Sequence, residues 1–237
     1  MAALTNFRRL ATGPISKVIQ RRFGTGARGA RGLGWYQKYR DGEGGRHLQG
    51  ELFDRDIEEL ESINNQVFAM GSENAYLDIK IDGEEIHRLT MELATAALPL
   101  TTKNFLLLCE DGMYTDTIIH RLQKNVGIVL GDVSMRKGKG GYCHPSLSID
   151  GKLPETEPLV ISHLPGIVSM TSPGVDKVDS RFLCCSHELP HLDGRFVGFG
   201  RLFPESLEKI LDWLDTQHTV GGGFPNVEMK IVSCGRL

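Results

Sequence analysis

The sequence lacks the features that would assign it to several large classes of protein. It has no run of the roughly 18 apolar residues that a membrane-spanning helix requires, so no transmembrane segment is predicted. It has no Cys-x-x-Cys motif, and its five cysteines are an odd number, so neither a disulfide framework nor a zinc ribbon is indicated. With 237 residues and 40% hydrophobic content, one domain with an extension is expected.

Acidic residues are absent from the first 40 positions, which carry nine arginines and lysines. This composition, with loosely spaced apolar residues, is typical of a mitochondrial presequence. Arg21, Arg22 and Phe23 resemble the processing pattern of matrix proteins, so we predict a presequence over residues 1–23 with cleavage after Phe23. The expected location is the mitochondrial matrix or the matrix side of the inner membrane. The alternative is a retained basic tail that binds nucleic acid or anionic lipid.

Residues 24–73 are predicted to form a glycine-rich arm and a helix. Nine glycines between positions 24 and 50 prevent a periodic apolar face, and Asp54 is expected to cap a helix over about 54–68. Aromatic side chains among charged ones suit a segment that orders against another protein. The residues expected to bind such a partner are Trp35, Tyr36, Tyr39 and Phe53. The alternative is a strap that packs on the chain's own domain.

From Ala75 onward the apolar residues alternate as they do in strands. The Asp82-Gly83 turn then predicts a β-hairpin that opens a sheet. Further strands are predicted at 117–122, 126–131, 166–170, 181–185, 195–200 and 227–233. A short buried helix is expected from Pro99 to near Gly112, and a second helix at about 204–214. Many short strands with two flanking helices favour a closed antiparallel barrel.

Several short strings occur in the order, and at nearly the spacing, of the cyclophilins. They are Ile-Ile-His-Arg at 118–121, Gly-Lys-Gly-Gly at 138–141, Gly-Ile-Val-Ser-Met at 166–170, Leu-Asp-Gly at 192–194, Phe-Val-Gly-Phe-Gly at 196–200 and Cys-Gly-Arg-Leu at 234–237. The chain therefore resembles a divergent cyclophilin-type domain over residues 74–237. The resemblance implies a mainly β fold, a closed antiparallel barrel with two flanking helices, preceded by the arm and helix.

Cyclophilins are peptidyl-prolyl cis-trans isomerases, and the resemblance implies how such an activity would work here. Rotation about the prolyl peptide bond crosses a barrier of about 18–20 kcal/mol because that bond has partial double-bond character. The family lowers the barrier with an apolar pocket for the proline ring, donors for the neighbouring carbonyl and an arginine aimed at the proline nitrogen. Arg121 occupies that arginine's position. No metal or other cofactor is expected.

The rest of the implied peptide groove departs from the family pattern. Val126 and Gly127 stand where the family has phenylalanine and methionine, and Val129 stands where it has a glutamine. Arg181 and Leu183 replace a second glutamine and a pocket phenylalanine. The remaining expected groove positions are Ser172, His191, Leu192 and Phe196, of which only Leu192 matches the family. Because one lost hydrogen bond to a charged group costs about 1.5–3 kcal/mol, we expect isomerase activity to be weak or absent.

Residues 187–191 carry the letters of the zinc-protease motif His-Glu-x-x-His. That chemistry requires both histidines on one face of a helix, and Pro190 inside the motif opposes a helix. The Leu-Asp-Gly string that follows also matches a cyclophilin loop. We therefore predict no zinc site.

These observations favour a cyclophilin-like domain with an altered active site that serves as a structural, accessory or peptide-docking subunit. The expected partners are protein subunits of a mitochondrial assembly, with a respiratory complex, ATP synthase and the mitochondrial ribosome as open alternatives, together with proline-containing peptides. Nucleic acid is not the expected partner. The competing hypothesis is an active isomerase that assists protein folding in the matrix, which Arg121 favours and the altered groove opposes.

Overall fold

The structure of the chain is a computed structural model. It describes residues 56–82, 86–134, 138, 140–147, 153, 157–171, 178–217, 219–220 and 223–237. The described residues fall into two units, which divide between Ile63 and Asn64, and the second unit runs to Leu237. Several sequence predictions lie outside the described residues: the presequence 1–23, the arm up to position 55, the partner-binding aromatics Trp35, Tyr36, Tyr39 and Phe53, and the groove position Ser172.

The first described helix, α1, spans Ile57–Ala69. It begins after Asp56, whose carboxylate accepts a hydrogen bond of 3.0 Å from the backbone amide of Glu59. A side-chain oxygen that satisfies an amide three residues on is an N-cap. The helix therefore starts later than the sequence pattern predicts, because the aspartate two residues beyond Asp54 supplies the cap.

The second unit is built on one antiparallel sheet of eight strands, as the sequence predicts. The strands in chain order are β1 (Glu73–Ile81), β2 (Ile86–Leu93), β3 (Arg121–Gln123), β4 (Gly127–Leu130), β5 (Ile167–Met170), β6 (Phe182–Cys185), β7 (Gly198–Leu202) and, after a small hairpin, β10 (Met229–Arg236). Their order in the sheet is β10-β1-β2-β7-β5-β6-β4-β3. The hairpin itself, β8 (Thr219–Val220) with β9 (Phe224–Pro225), is an element that the sequence analysis did not predict.

The two ends of this sheet are joined by the segment that precedes β3. The amide of Ile119 donates to Met229, and the amide of Ile231 donates to Thr117, at 2.8 and 2.9 Å. Ile118 and Lys230 form an isolated antiparallel bridge at the same place. The strand predicted over 117–122 is thus divided, with its first half paired to β10 and its second half paired to β4 as β3.

An aromatic cluster forms the centre of the core. The second helix, α2 (Pro99–Glu110), contributes Phe105, whose ring lies 5.3 Å from that of Phe182 on β6 and 5.4 Å from that of Phe199 on β7. Tyr114 completes the cluster and donates its hydroxyl to the Ser180 carbonyl at 2.8 Å. Such tilted and edge-to-face pairs add to the free energy of burial and fix the position of α2 against the sheet.

The third helix, α3 (Pro204–Thr216), begins directly after β7 and buries Ile210, Trp213 and Leu214. In the described part of the chain the longest helices, α1 and α3, have 13 residues each. A bilayer crossing needs about 20 residues, so none of these helices spans a membrane.

The amino end of α2 is capped from a distance. The two carboxylate oxygens of Glu157 accept hydrogen bonds from the amides of Leu100 and Thr101, which have no partner within the helix. Glu157 is itself buried, so water does not compete for these amides. The positive end of the helix dipole adds to the attraction.

Replacing Glu157 with glutamine should therefore destabilise the domain. One of its two oxygens becomes a donor that faces another donor, and the charge at the helix end is lost. We expect the free energy of unfolding to fall by about 1–2 kcal/mol in a urea titration. The control is Glu208→Gln on the exposed face of α3, which should leave the midpoint unchanged. Equal midpoints for the two variants would contradict the capping role.

Candidate functional site

A row of paired residues crosses four strands of the sheet. Arg121 on β3 pairs with Val129 on β4, Val129 pairs with Leu183 on β6, and Leu183 pairs with Ser169 on β5. Residues that face each other in adjacent strands project from the same side of a sheet. The exposed arginine therefore stands at one end of a row that continues through two apolar side chains.

An apolar cluster lies along this row. Leu183, Cys185 and Leu189 are buried in it, and the partly buried side chains of Val126, Val129 and Leu192 pack against them. Val126, Val129, Leu183 and Leu192 were all expected in the peptide groove from the sequence. The structure brings these four together, and it adds Cys185 and Leu189, which the sequence analysis did not identify.

Gly127 has a backbone that only glycine adopts readily. Its φ angle is +140°, and a Cβ atom there would come within 1.9 Å of the Cys184 carbonyl oxygen. β4 thus lies against β6 with no room for a side chain at this position. The close approach of the two strands explains why Gly127 contributes no wall to the cluster.

The guanidinium of Arg181 is occupied by neighbours. Its Nε and Nη2 donate to the Asp179 carboxylate, at 2.6 Å for Nη2, and its Nη1 donates to the Gly138 carbonyl at 2.9 Å. The hydrogen bonds to Asp179 raise the pKa of Arg181 above its ordinary value. The side chain at this predicted groove position is therefore held by the adjoining glycine-containing loop.

That loop is organised by Asp132, which follows β4. One carboxylate oxygen accepts from the amide and hydroxyl of Ser134, and the other accepts from the amides of Gly138 and Gly140. Burial by itself raises the pKa of the Asp132 carboxyl, but these hydrogen bonds outweigh it and hold the pKa below the ordinary value.

The loop also passes directly over the residue beside Arg121. Gly138 has a φ angle of +81°, and a Cβ atom there would lie 2.2 Å from Cδ2 of the His120 ring. Burial lowers the pKa of His120 below its ordinary value. Asp132, Gly138 and His120 together fix the backbone from which Arg121 projects.

The segment after β6 forms one side of the apolar cluster. A single 3₁₀ turn covers Pro190–Leu192, with His191 exposed on it. The amide of Phe196 donates to the Leu192 carbonyl at 3.0 Å, so the half-buried Phe196 follows a tight turn. Because Leu189 has a non-helical backbone before Pro190, His187 and His191 do not share the face of an α-helix. Across the described residues, no group of three or more potential ligands is placed to hold a metal ion.

A buried polar triad lies behind this segment. The Nδ1 atom of His163 lies 2.8 Å from Oδ1 of Asp193, and its Nε2 atom lies 2.7 Å from Oγ of Ser169. His163 and Ser169 are completely buried. No sequence motif predicts this triad. Its members lie within or beside matched strings, but only the fold shows that residues 30 positions apart meet.

This architecture is that of the cyclophilins, and comparison with known protein families agrees. The family model "Cyclophilin type peptidyl-prolyl cis-trans isomerase/CLD" matches residues 76–236. The chain therefore belongs to the cyclophilin family, as the sequence motifs predicted.

Individual relatives are consistent with this assignment. The chain is 30% identical over 174 residues to peptidyl-prolyl cis-trans isomerase 9 of Caenorhabditis briggsae, covering 68% of this chain and 53% of the relative. It is 31% identical to a peptidyl-prolyl cis-trans isomerase of Rhizopus delemar, covering 68% and 49%. The chain thus spans about half the length of these two relatives. A crystal structure of a cyclophilin-type isomerase from Cryptosporidium parvum matches with a TM-score of 0.60 at 27% identity, covering 70% of this chain and 98% of that one.

The lowered pKa of Asp132 makes the stability of the folded state depend on pH in a defined direction. Its pKa is lower in the folded protein than in the unfolded chain, so the folded state gains stability above the unfolded value of about 3.9 and loses it as the pH falls through the folded value. We expect Asp132→Asn to be less stable than the wild type at pH 7 and to lose less further stability between pH 5 and pH 2. Urea titrations at each pH would measure this, and parallel curves would contradict it.

Proposed function

We propose that the chain is a peptidyl-prolyl cis-trans isomerase that uses Arg121 and the row of paired residues that begins at it. The supporting observation is the register that places an exposed arginine on the same side of the sheet as Val129 and Leu183, beside an apolar cluster. An apolar surface of this kind suits a proline ring, and a fixed cation next to it suits the nitrogen of the prolyl bond.

In this proposal Arg121 donates a hydrogen bond to the prolyl nitrogen as the bond rotates. The nitrogen lone pair leaves conjugation with the carbonyl in the twisted state, so a cation there stabilises that state more than either planar isomer. The cluster around Leu183 holds the proline ring, and the chain beyond it rotates. The reaction makes and breaks no covalent bond and requires no cofactor.

The same geometry supports slow turnover. The aliphatic side chains of Val129 and Leu183 offer no hydrogen bond to a peptide, and Gly127 contributes no wall. Arg181 directs its guanidinium to Asp179 and Gly138. A groove with fewer donors loses about 1.5–3 kcal/mol for each missing bond to a charged or well-oriented group, which lowers the rate without abolishing it.

Arg121 provides the direct test. In a peptide that contains Ala-Pro, the full chain should accelerate cis-trans exchange measured by NMR, and Arg121→Ala should lower kcat/KM about a hundredfold. Arg121→Lys should recover little, because an ammonium lacks the planar donors of a guanidinium. The matched control is the variant Arg236→Ala, which should retain full activity. Arg236 is also an exposed arginine, but it lies on β10.

Two results would overturn this proposal. One is the absence of any acceleration by the wild type, and the other is equal activity in Arg121→Ala and Arg236→Ala.

We also propose a second role, as an accessory subunit of a mitochondrial assembly in the matrix or on the matrix side of the inner membrane. The acid-free first 40 residues and the glycine-rich segment with aromatic residues support it. The proposed partner-binding extension covers residues 24–73, and within it Asn64 donates a hydrogen bond to Ser162 of the second unit. In this role the apolar cluster would dock a proline-containing segment of another subunit.

Deletion of residues 24–55 tests the accessory role. Ordering a glycine-rich segment costs about 1–2 kcal/mol of free energy per residue, because conformational entropy is lost. The segment therefore needs a partner surface to become ordered. We expect the deletion to leave the melting temperature nearly unchanged while the protein no longer migrates with its assembly on a native gel of mitochondrial extract. Continued co-migration would place the contact on the barrel, and unfolding would make the segment an internal strap.

A further inference from the structure

The middle of α1, at Asn64, contacts the segment that supports the candidate groove. Asn64 uses both ends of its side-chain amide on one residue, donating from Nδ2 to the Ser162 carbonyl and accepting at Oδ1 from the Ser162 amide, each at 3.0 Å. Asn64 is buried, so water does not replace either bond. Removing the amide would leave two buried backbone groups without partners.

The peptide group between Ser162 and His163 also contacts residues 189–193, the segment that forms one wall of the candidate groove. The Ser162 carbonyl that Asn64 holds belongs to the peptide group whose N–H is that of His163. That N–H donates to Oδ1 of Asp193 at 2.7 Å. A peptide group is planar, so its carbonyl and its N–H turn together. A bond at one end also polarises the group and strengthens the bond at the other.

His163 holds the wall by further contacts. Its carbonyl accepts from the amide of Leu189 at 2.8 Å, its Nδ1–H donates to Asp193, and its Nε2 contacts Ser169. Leu189 is a buried member of the apolar cluster, and Asp193 follows Leu192 of the same cluster. Ser169 is the last residue of the row that begins at Arg121. His163 therefore contacts both ends of the wall, at Leu189 and Asp193, and also β5 at Ser169.

We propose that Asn64 is a positioning residue for the candidate peptide groove. It fixes the plane of the Ser162–His163 peptide, and that plane sets where His163 holds residues 189–193. The residue lies on α1, outside the matched family region of 76–236. The consequence is that residues 64–69 of α1, which belong to the second unit, are coupled to the groove: a change at Asn64 alters the fit of a bound peptide, and a bound peptide alters the Asn64 contacts by the same free energy.

Asn64 can be removed without removing the helix. Val67 and Phe68 are buried on the same helix, and the guanidinium of Arg201 lies 4.5 Å from the centre of the Phe68 ring. Asn65, the next residue, accepts from Nη1 of Arg201 at 2.6 Å. Asn65→Ala is therefore a matched control, since it removes one asparagine contact of α1 with the domain that does not involve Ser162.

The main experiment compares NMR spectra of the wild-type full chain with those of three full-chain variants, Asn64→Ala, Asn64→Asp and Asn65→Ala. Asn64→Asp has the same shape and keeps the acceptor for the Ser162 amide, but it places an oxygen against the Ser162 carbonyl. We expect both Asn64 variants to shift the amide signals of Leu189 and residues 191–193 and the imidazole nitrogen signals of His163, and Asn65→Ala to shift neither. The reciprocal variant Asp193→Asn should shift the side-chain amide signals of Asn64.

The peptide measurement rests on the proposed isomerase function. For an Ala-Pro peptide, we expect the Asn64 variants to bind about fivefold more weakly, with an effect on KM greater than that on kcat. If the wild type neither binds nor turns over the peptide, the isomerase proposal fails, while the NMR comparison still decides the role of Asn64. Unchanged amide signals of Leu189 and residues 191–193, together with unchanged imidazole signals of His163, in a folded Asn64→Asp protein would overturn the positioning role.

Discussion

The register of β6 is the constraint on which the site and the core both depend. This strand pairs with β4 on one side and with β5 on the other, and all four of its residues are buried. Phe182 faces the aromatic core, while Leu183 and Cys185 belong to the apolar cluster beside Arg121. A slip of one residue would exchange these two faces. The large ring of Phe182, fixed between Phe105 and Phe199, makes that slip costly.

Elements with a clear local pattern could be predicted from the sequence, and the others could not. Alternating apolar residues gave the β1–β2 hairpin, and the proline before an apolar face gave the start of α3. The two-residue strands β8 and β9 are too short to show a period. The sequence pattern predicts Asp54 as the cap of α1 instead of Asp56, because two aspartates so close together give the same local signal.

The candidate site likewise has some residues that the sequence predicts and others that it does not. Family spacing indicated Val126, Val129, Leu183 and Leu192, which the fold assembles into one cluster. It could not indicate that Arg181 turns to Asp179 and Gly138, because a substitution in a motif does not show which neighbour receives the new side chain. The link from Asn64 to Ser162 spans 98 positions, and no periodic pattern joins residues so far apart. Long-range polar pairs of this kind require the coordinates.

Cys185 gives the apolar cluster a chemical property beyond its shape. Its thiol is buried in the wall of the cluster, and burial raises its pKa well above the ordinary value, as burial raises that of Cys184 to about 12. Only the thiolate reacts rapidly with alkylating reagents and oxidants. While the wall is closed, Cys185 is therefore inert at neutral pH. Its modification would record how often the wall between Leu183 and Leu189 opens to solvent, even where no peptide is bound.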